Sequence, residues 1–170
     1  ITDSLLNLEL KKAAAKLTTF HLILKRENNI LNVEGTEKNK RKLMASLLRE
    51  ESNTNLTDLL RGDRFQSEYL SSGDISNQLL PQLNAALRNE EQLLLNDFGL
   101  QNILIHTLVL TDRILAHRVL PEKLNPEITT QTPEYALAKK LQAILEKQLS
   151  IQVPDIEVNY LTLVISSNAL

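Results

Sequence analysis

Hydrophobic positions near the start of the chain follow two different periods. In residues 3–17 they recur every three or four positions, which predicts a helix with Asp3 or Ser4 as its N-cap. Residues 18–34 change to a period of two on either side of the turn residues 27–29, and this pattern predicts a β-hairpin. His21 falls within that segment, so it is expected on a strand.

The helical period returns after the hairpin, with Thr36 as the N-cap of a helix that runs to about residue 51. Apolar side chains on this helix are expected to face inward and basic ones outward. The inward set is Leu43, Leu47 and Leu48, and the outward set is Lys38, Lys40, Arg41 and Lys42. Helix, hairpin and helix in this order fit the end of a winged-helix unit whose wing is the hairpin, and they equally fit an ordinary small α+β element.

The rest of the chain is predicted to be helical after a polar linker. The helices predicted from apolar spacing cover residues 76–97, 100–118, 133–149 and 154 to the chain end. Pro81 requires the first of them to start within one turn of it, and Pro133 suits the first position of the third. These helices predict a mainly α fold, an antiparallel helical bundle preceded by the helix, hairpin and helix. The expected divisions are residues 1–52, a linker at 53–75, and a helical domain at 76–170.

Composition and charge narrow the functions open to this chain. Its 170 residues, 42% of them hydrophobic, suffice for one domain or for one domain and a fragment of another. The net charge of −2 gives no general attraction to nucleic acid, and the absence of cysteine excludes disulfides and thiolate metal sites. No apolar run is long enough for a membrane span, no signal peptide opens the chain, and a start at Ile1 indicates a piece of a longer protein.

Motifs for catalysis and cofactor binding are missing from the sequence. It contains no HExxH, Walker loop, GxGxxG or GxSxG, and the adjacent glutamate pairs at 50–51 and 90–91 would point in different directions on their helices. His106 and His117 would lie about 16 Å apart along one helix, too far to share a metal ion. The sequence therefore predicts no enzyme, no metal site and no cofactor.

The strongest candidate for function is an ionisable cluster on the predicted helix 100–118. His106, Arg113 and His117 fall within about 40° of one another around this nearly all-apolar helix. Ionisable groups on a buried edge are costly to keep unless a partner, a charge or a modification uses them. The alternative is that His106 is a satisfied core or interface histidine and that Arg113 forms an ordinary salt bridge.

Residues 104–114, LIHTLVLTDRI, resemble the first signature helix of the PTS regulation domain (PRD) family. In that helix an arginine follows a histidine by seven residues, as Arg113 follows His106 here. Residues 29–48 resemble the segment that joins a winged helix to the first PRD in sugar-operon activators of Gram-positive bacteria. The matching residues of that segment are Gly35, Glu37 and Arg41.

The segment DIEVNYLTLVISSNA, residues 155–169, resembles the second signature helix of the family. Its acidic and aromatic positions match Glu157 and Tyr160, but Val164 occupies the position of the second histidine. Valine cannot accept a phosphoryl group. The resemblance therefore implies that control at two sites within this domain is lost.

The resemblance implies a cytoplasmic, homodimeric regulator of sugar-uptake genes, phosphorylated on histidine by HPr or a sugar-specific enzyme IIB. It implies His106 as the phosphorylated residue, Arg113 and His117 as supports of the phosphate or the interface, and Val164 as a degenerate second site. A winged-helix neighbour would make it a DNA-binding activator that contacts its operator through a region before Ile1, with no membrane partner. Two alternatives stay open: a structural dimerisation module without phosphorylation, and part of an RNA-binding antiterminator.

Overall fold

The computed structural model describes residues 3–51, 75–122 and 126–170, and these are mainly helical. The chain divides into two compact units, Ile1–Ser46 and Leu47–Leu170. Within the described ranges the only sheet is a two-stranded antiparallel hairpin in the first unit. The predicted fold class is confirmed. The predicted linker at 53–75 lies outside the described residues except for Ile75, so the predicted domain boundaries stay predictions.

The first unit contains the hairpin between two helices. Its elements are α1 (Asp3–Thr19), β1 (Ile23–Glu27), β2 (Ile30–Glu34) and the first part of α2 (Glu37–Glu51). Glu27 pairs with Ile30, so Asn28 and Asn29 alone form the turn. Both have positive φ, 49° and 64°, the backbone of a type I′ turn, whose twist matches that of the paired strands. Helix α1 already includes Asp3 and Ser4, so its N-cap lies outside the described residues.

The end of α1 is a helix-stop motif with His21 in the left-handed conformation. The N–H of His21 donates to the carbonyl of Thr18, and the N–H of Leu22 donates to the carbonyl of Leu17, both at 3.0 Å. These two bonds form a Schellman motif, which is commonly accompanied by an apolar contact across the helix end. Leu17 and Leu22, which share the bond that spans more residues, are both buried. The prediction that His21 lies on a strand is wrong, because β1 begins two residues later at Ile23.

The junction between β2 and α2 depends on Gly35 and Thr36. Gly35 has a φ of +152°, which residues other than glycine rarely adopt, and a Cβ there would also force Cδ2 of the buried Leu22 to move. Thr36 is the predicted N-cap, and its Oγ1 accepts a hydrogen bond from the N–H of Asn39 at 3.1 Å. The start of α2 is thereby confirmed.

Two side chains of α2 face opposite to their predicted directions. Arg41 was expected outward, but it is 0% exposed, and its Nε donates to Oε1 of Glu37 at 3.3 Å, one turn earlier. Burial of this guanidinium is tolerable because its charge is paired. Leu47 was expected inward, yet it is 41% exposed.

The second unit is a set of packed helices. They are α3 (Leu80–Arg88), which follows a π-helical turn at Ile75–Leu79, then α4 (Asp97–Leu115), α5 (Pro133–Leu149) and α6 (Asp155–Asn168). The predicted bounds of α5 match the observed ones. The predicted helix 76–97 is too long: it ends at Arg88, and Leu94 is 68% exposed. The Oδ1 of Asn96 accepts from the N–H of Gly99 at 2.7 Å, so this asparagine caps a new helix instead of continuing the old one.

Helices α4 and α6 run antiparallel and form the centre of this unit. At one end Asn102 of α4 contacts Asn168 of α6, and at the other the N–H of Leu120 donates to Oε1 of Glu157 at 3.1 Å. The two helices pack closely, because a Cβ on Gly99 would lie only 2.6 Å from the carbonyl oxygen of Asn168. The apolar core contains Ile103, Leu108, Leu137, Leu141, Leu161 and Ile165. In the ranges that the structure covers, no helix combines the length and apolar character of a membrane span.

Candidate functional site

His106 is a half-buried residue in the middle of α4, flanked in sequence by the buried residues Ile105 and Thr107. Its Nδ1 is fully enclosed and has no hydrogen-bond partner within the described part of the chain. Burial, followed by the positive charge of Arg49, lowers the pKa of His106 from 6.5 to about 4. At neutral pH this imidazole is therefore uncharged, because protonation would place a cation in a poorly solvated position that already faces another cation.

A chain of hydrogen bonds runs beside His106 from Arg49 to α6. The Nη1 of Arg49, in the last turn of α2, donates to Oδ1 of Asn102 at 2.8 Å. The Nδ2 of Asn102 donates to Oδ1 of Asn168 at 2.9 Å, and the Nδ2 of Asn168 donates to the carbonyl of Val164 at 2.8 Å. This polar chain connects the end of α2 with both of the central helices. Arg49 belongs to the second unit, so every member of the chain lies within that unit.

The register of the two central helices sets His106 opposite Val164. Asn102 and Asn168 are bonded across the antiparallel pair. His106 lies four residues after Asn102 and Val164 four residues before Asn168, so both are one turn away from that bond in the same direction. Val164 is buried and carries no polar side-chain atom. A valine on the facing helix can offer no hydrogen bond to the imidazole, which agrees with the unpartnered Nδ1.

The predicted cluster of His106, Arg113 and His117 on one helix edge is only partly correct. Arg113 lies in the last turn of α4, half-buried, but the helix ends at Leu115 and His117 lies beyond it with a φ of 58°. The N–H of His117 donates to the carbonyl of Ile114 at 2.9 Å, and the N–H of Arg118 to that of Arg113 at 2.8 Å. This Schellman motif turns the backbone at His117 and leaves its side chain exposed.

Arg49 is the cation that sequence reasoning missed. Its partner Asn102 is 53 residues away, so no local spacing relates the two. Arg113, which the sequence favoured, is seven residues from His106, about 10 Å along the helix axis. In the folded chain, burial and then the positive charge of Arg49 lower the pKa of His106. The one indication of Arg49 in the sequence is its place directly after residues 29–48, the segment that resembles the connection between a winged helix and the first PRD.

Glu157, the acidic residue of the second signature, has a structural role. It is 0% exposed, and its Oε1 holds the N–H of Leu120 in the segment after α4. Tyr160, the aromatic residue of the same signature, is also buried. Both residues therefore fix α6 within the bundle rather than present a reactive group.

A separate surface cleft of about 310 Å³ does not suit an anion. Its described lining has two carboxylates and no basic side chain; the residues are Glu127, Ile128, Thr129, Thr132, Glu134, Thr162, Leu163 and Ser166. One of its threonines, Thr132, is already used as the N-cap of α5, accepting from the N–H of Tyr135 at 3.3 Å. Among the residues described, no three histidine or carboxylate side chains come together as a metal site would require.

Comparison with known proteins gives one finding that bears on this site. The family model for the PRD domain matches residues 76–168, more than half of the chain. No curated protein matches the chain. The matched segment includes His106, Arg113 and Val164, whereas Arg49 and the first unit lie outside it, so the match gives no confirmation of the winged-helix interpretation.

Proposed function

This chain belongs to the PRD family, and we propose that it is the regulatory part of a transcriptional regulator of carbohydrate utilisation, switched by phosphorylation of His106. PRD domains are regulatory rather than catalytic, and they bring transcriptional regulators and antiterminators under the control of the phosphotransferase system. The observation that supports the proposal best is a neutral, half-buried imidazole on α4 whose facing position holds Val164. His106 is then the single acceptor in a domain whose family pattern has two.

The neutral state of His106 suits it to receive a phosphoryl group. With a pKa of about 4, the ring keeps a nitrogen lone pair at neutral pH. Because Nδ1 is enclosed, an incoming group reaches the ring at Nε2. The Nε2 lone pair attacks phosphorus, the bond from phosphorus to the donor side chain breaks, and that electron pair stays on the donor. The phosphorylated ring then loses the Nδ1 proton to water, because a ring that kept it would carry a positive charge in this poorly solvated position.

The added charge provides a route from modification to regulation. A phosphoryl group carries a charge of about −1.5 to −2 and three acceptor oxygens. Placed on the half-buried edge of α4, this charge is costly unless helices or subunits move or a cation approaches. In a homodimer built through the helical unit, such a movement would change the spacing of attached DNA-binding units. Arg113 and His117 add positive or ionisable groups further along the same segment.

The first unit favours a DNA-binding neighbour. A helix, a hairpin and a helix occur in that order, as they do at the end of a winged helix. An antiterminator would instead have a small RNA-binding β domain before its PRD. We therefore favour a DNA-binding activator over an antiterminator, with HPr or a sugar-specific enzyme IIB as the phosphoryl donor.

Phosphorylation in a reconstituted system tests the proposal. The chain is incubated with enzyme I, HPr, phosphoenolpyruvate and candidate enzyme IIB proteins, then analysed by mass spectrometry under conditions that preserve phosphohistidine. We expect one phosphoryl group on His106, absent from His106→Ala and retained in the matched control His117→Asn. Label on His117, or on no histidine with any donor, would leave the structural dimerisation module as the better account.

A further inference from the structure

We propose that Arg49 binds the phosphoryl group on His106, exchanging its hydrogen bond to Asn102 for hydrogen bonds to the phosphoryl oxygens. This inference rests on the phosphorylation of His106 proposed above and names the residue that responds to it. Arg49 lies on α2, outside the segment matched by the family, so the family pattern does not assign it this part.

The geometry places the guanidinium within one helical turn of the imidazole. Asn102, which holds Nη1 of Arg49 at 2.8 Å, precedes His106 by four residues on α4. Residues at this spacing are neighbours on the same side of a helix, about 6 Å apart. The positive charge of Arg49 already acts on the ring, since it contributes to the lowered pKa of His106. A change of side-chain rotamer, without movement of α2, can span such a distance.

The exchange of partners is favourable because the two acceptors differ in charge. In the unmodified chain Nη1 donates to a neutral amide oxygen. A phosphoryl oxygen carries negative charge, and charge-assisted hydrogen bonds are about twice as strong as neutral ones. The planar guanidinium can also make two parallel hydrogen bonds to phosphate. Arg113 on the same helix is two turns from His106, about 10 Å along the axis, so Arg49 is the better placed cation.

The exchange would carry the state of His106 to α2. Arg49 lies in the last turn of that helix, and α2 extends back from there to Glu37 in the first unit. When the guanidinium leaves Asn102, the polar chain between α2 and α4 is broken, while the bond from Asn102 to Asn168 can persist. Phosphorylation would therefore replace an amide contact of α2 with an ionic one to His106.

The acidity of the phosphoryl group provides a direct test. The chain is phosphorylated chemically with phosphoramidate in a His21→Asn, His117→Asn background, which leaves His106 as the sole histidine. Asparagine is chosen because both positions are left-handed and asparagine tolerates this conformation. The second pKa of the phosphoryl group is then read from its ³¹P NMR shift as a function of pH. A bound guanidinium stabilises the dianion and lowers this pKa.

We expect Arg49→Gln to raise the phosphoryl pKa by about one unit, the size expected of a charge-assisted hydrogen bond. Arg49→Lys should give a smaller rise, and Arg118→Gln, an arginine beyond the end of α4 and twelve residues from His106, should give none. An unchanged pKa in Arg49→Gln would overturn the inference. If Arg49→Gln does not fold, the Nε–H NMR signal of Arg49 in the otherwise unchanged chain must shift on phosphorylation, and an unshifted signal would overturn it equally. If Arg49→Gln raises the phosphoryl pKa but the phosphotransferase system does not label His106, the inference stands and only the proposed function is rejected.

Discussion

Acidification is expected to destabilise the second unit through His106. The pKa of His106 falls from 6.5 to about 4 on folding, chiefly through burial and further through Arg49. Between pH 4 and pH 6.5, His106 is mostly protonated in the unfolded chain and mostly neutral in the folded chain. The stability that depends on neutral His106 is therefore complete above pH 6.5 and is lost as the pH falls through 4. The expected loss is about 2 kcal/mol at pH 5 and about 3 kcal/mol when both states are protonated.

Urea unfolding followed by tyrosine fluorescence measures this loss. The first unit contains no tyrosine and the chain has no tryptophan. The signal therefore reports the second unit, in which Tyr135 lies on α5 and Tyr160 on α6. The decrease in unfolding free energy from pH 7.5 to pH 5 should be about 2 kcal/mol larger in the unmutated chain than in His106→Gln. Carboxylates common to both chains cancel in this difference. His117→Asn should retain the full pH dependence.

The reasoning would be refuted by equal pH dependence in the unmutated chain and in His106→Gln. Such a result would mean that the folded chain accommodates a protonated His106 at no cost. If the pH dependence is lost in His117→Asn but kept in His106→Gln, then His117 and not His106 is responsible for it.

The remaining predictions concern two backbone positions and the modified nitrogen. Gly99→Ala should destabilise the second unit by about 1–3 kcal/mol in the same urea assay, because its Cβ would meet the carbonyl oxygen of Asn168 at 2.6 Å; an unchanged midpoint would contradict the close approach of α4 and α6. His117→Gly should stabilise by about 1 kcal/mol, because glycine adopts the left-handed backbone of this position without strain; a loss of stability would show that the imidazole contributes contacts. ³¹P NMR of the phosphorylated chain should show the Nε2 isomer of phosphohistidine, since Nδ1 is enclosed; the Nδ1 isomer would mean that the ring reorients.

Much of the fold was predictable where residues mark the ends of elements. Pro133 at the first position of α5 sets its start, and the observed bounds match the prediction. The Asn28–Asn29 pair likewise supplies the left-handed residues that a two-residue turn needs. The end of α3 was predicted too late because Leu87 and Leu94, seven residues apart, continue the helical period across the break. Asn96 overrides that period by capping α4.

The site was less predictable because it depends on contacts between distant residues. The position of His106 on an apolar helix could be predicted from its neighbours alone. That of His117 could not, since glycine usually occupies the left-handed position that ends a helix, and histidine gives no such signal. The pairing of Arg49 with Asn102, and of Val164 with the face of His106, requires the packing of three helices.

The polar chain beside His106 has a direction. Each asparagine receives a hydrogen bond on its oxygen and donates one from its nitrogen, so all the donors point from Arg49 towards the carbonyl of Val164. Hydrogen bonds aligned in this way polarise one another, and reversing one amide would break two of them at once. A carboxylate at position 102 would keep the acceptor for Arg49 and lose the donor to Asn168. Replacing the amide nitrogen of Asn102 with oxygen would therefore keep the hydrogen bond from Arg49 and remove the one that joins α4 to α6.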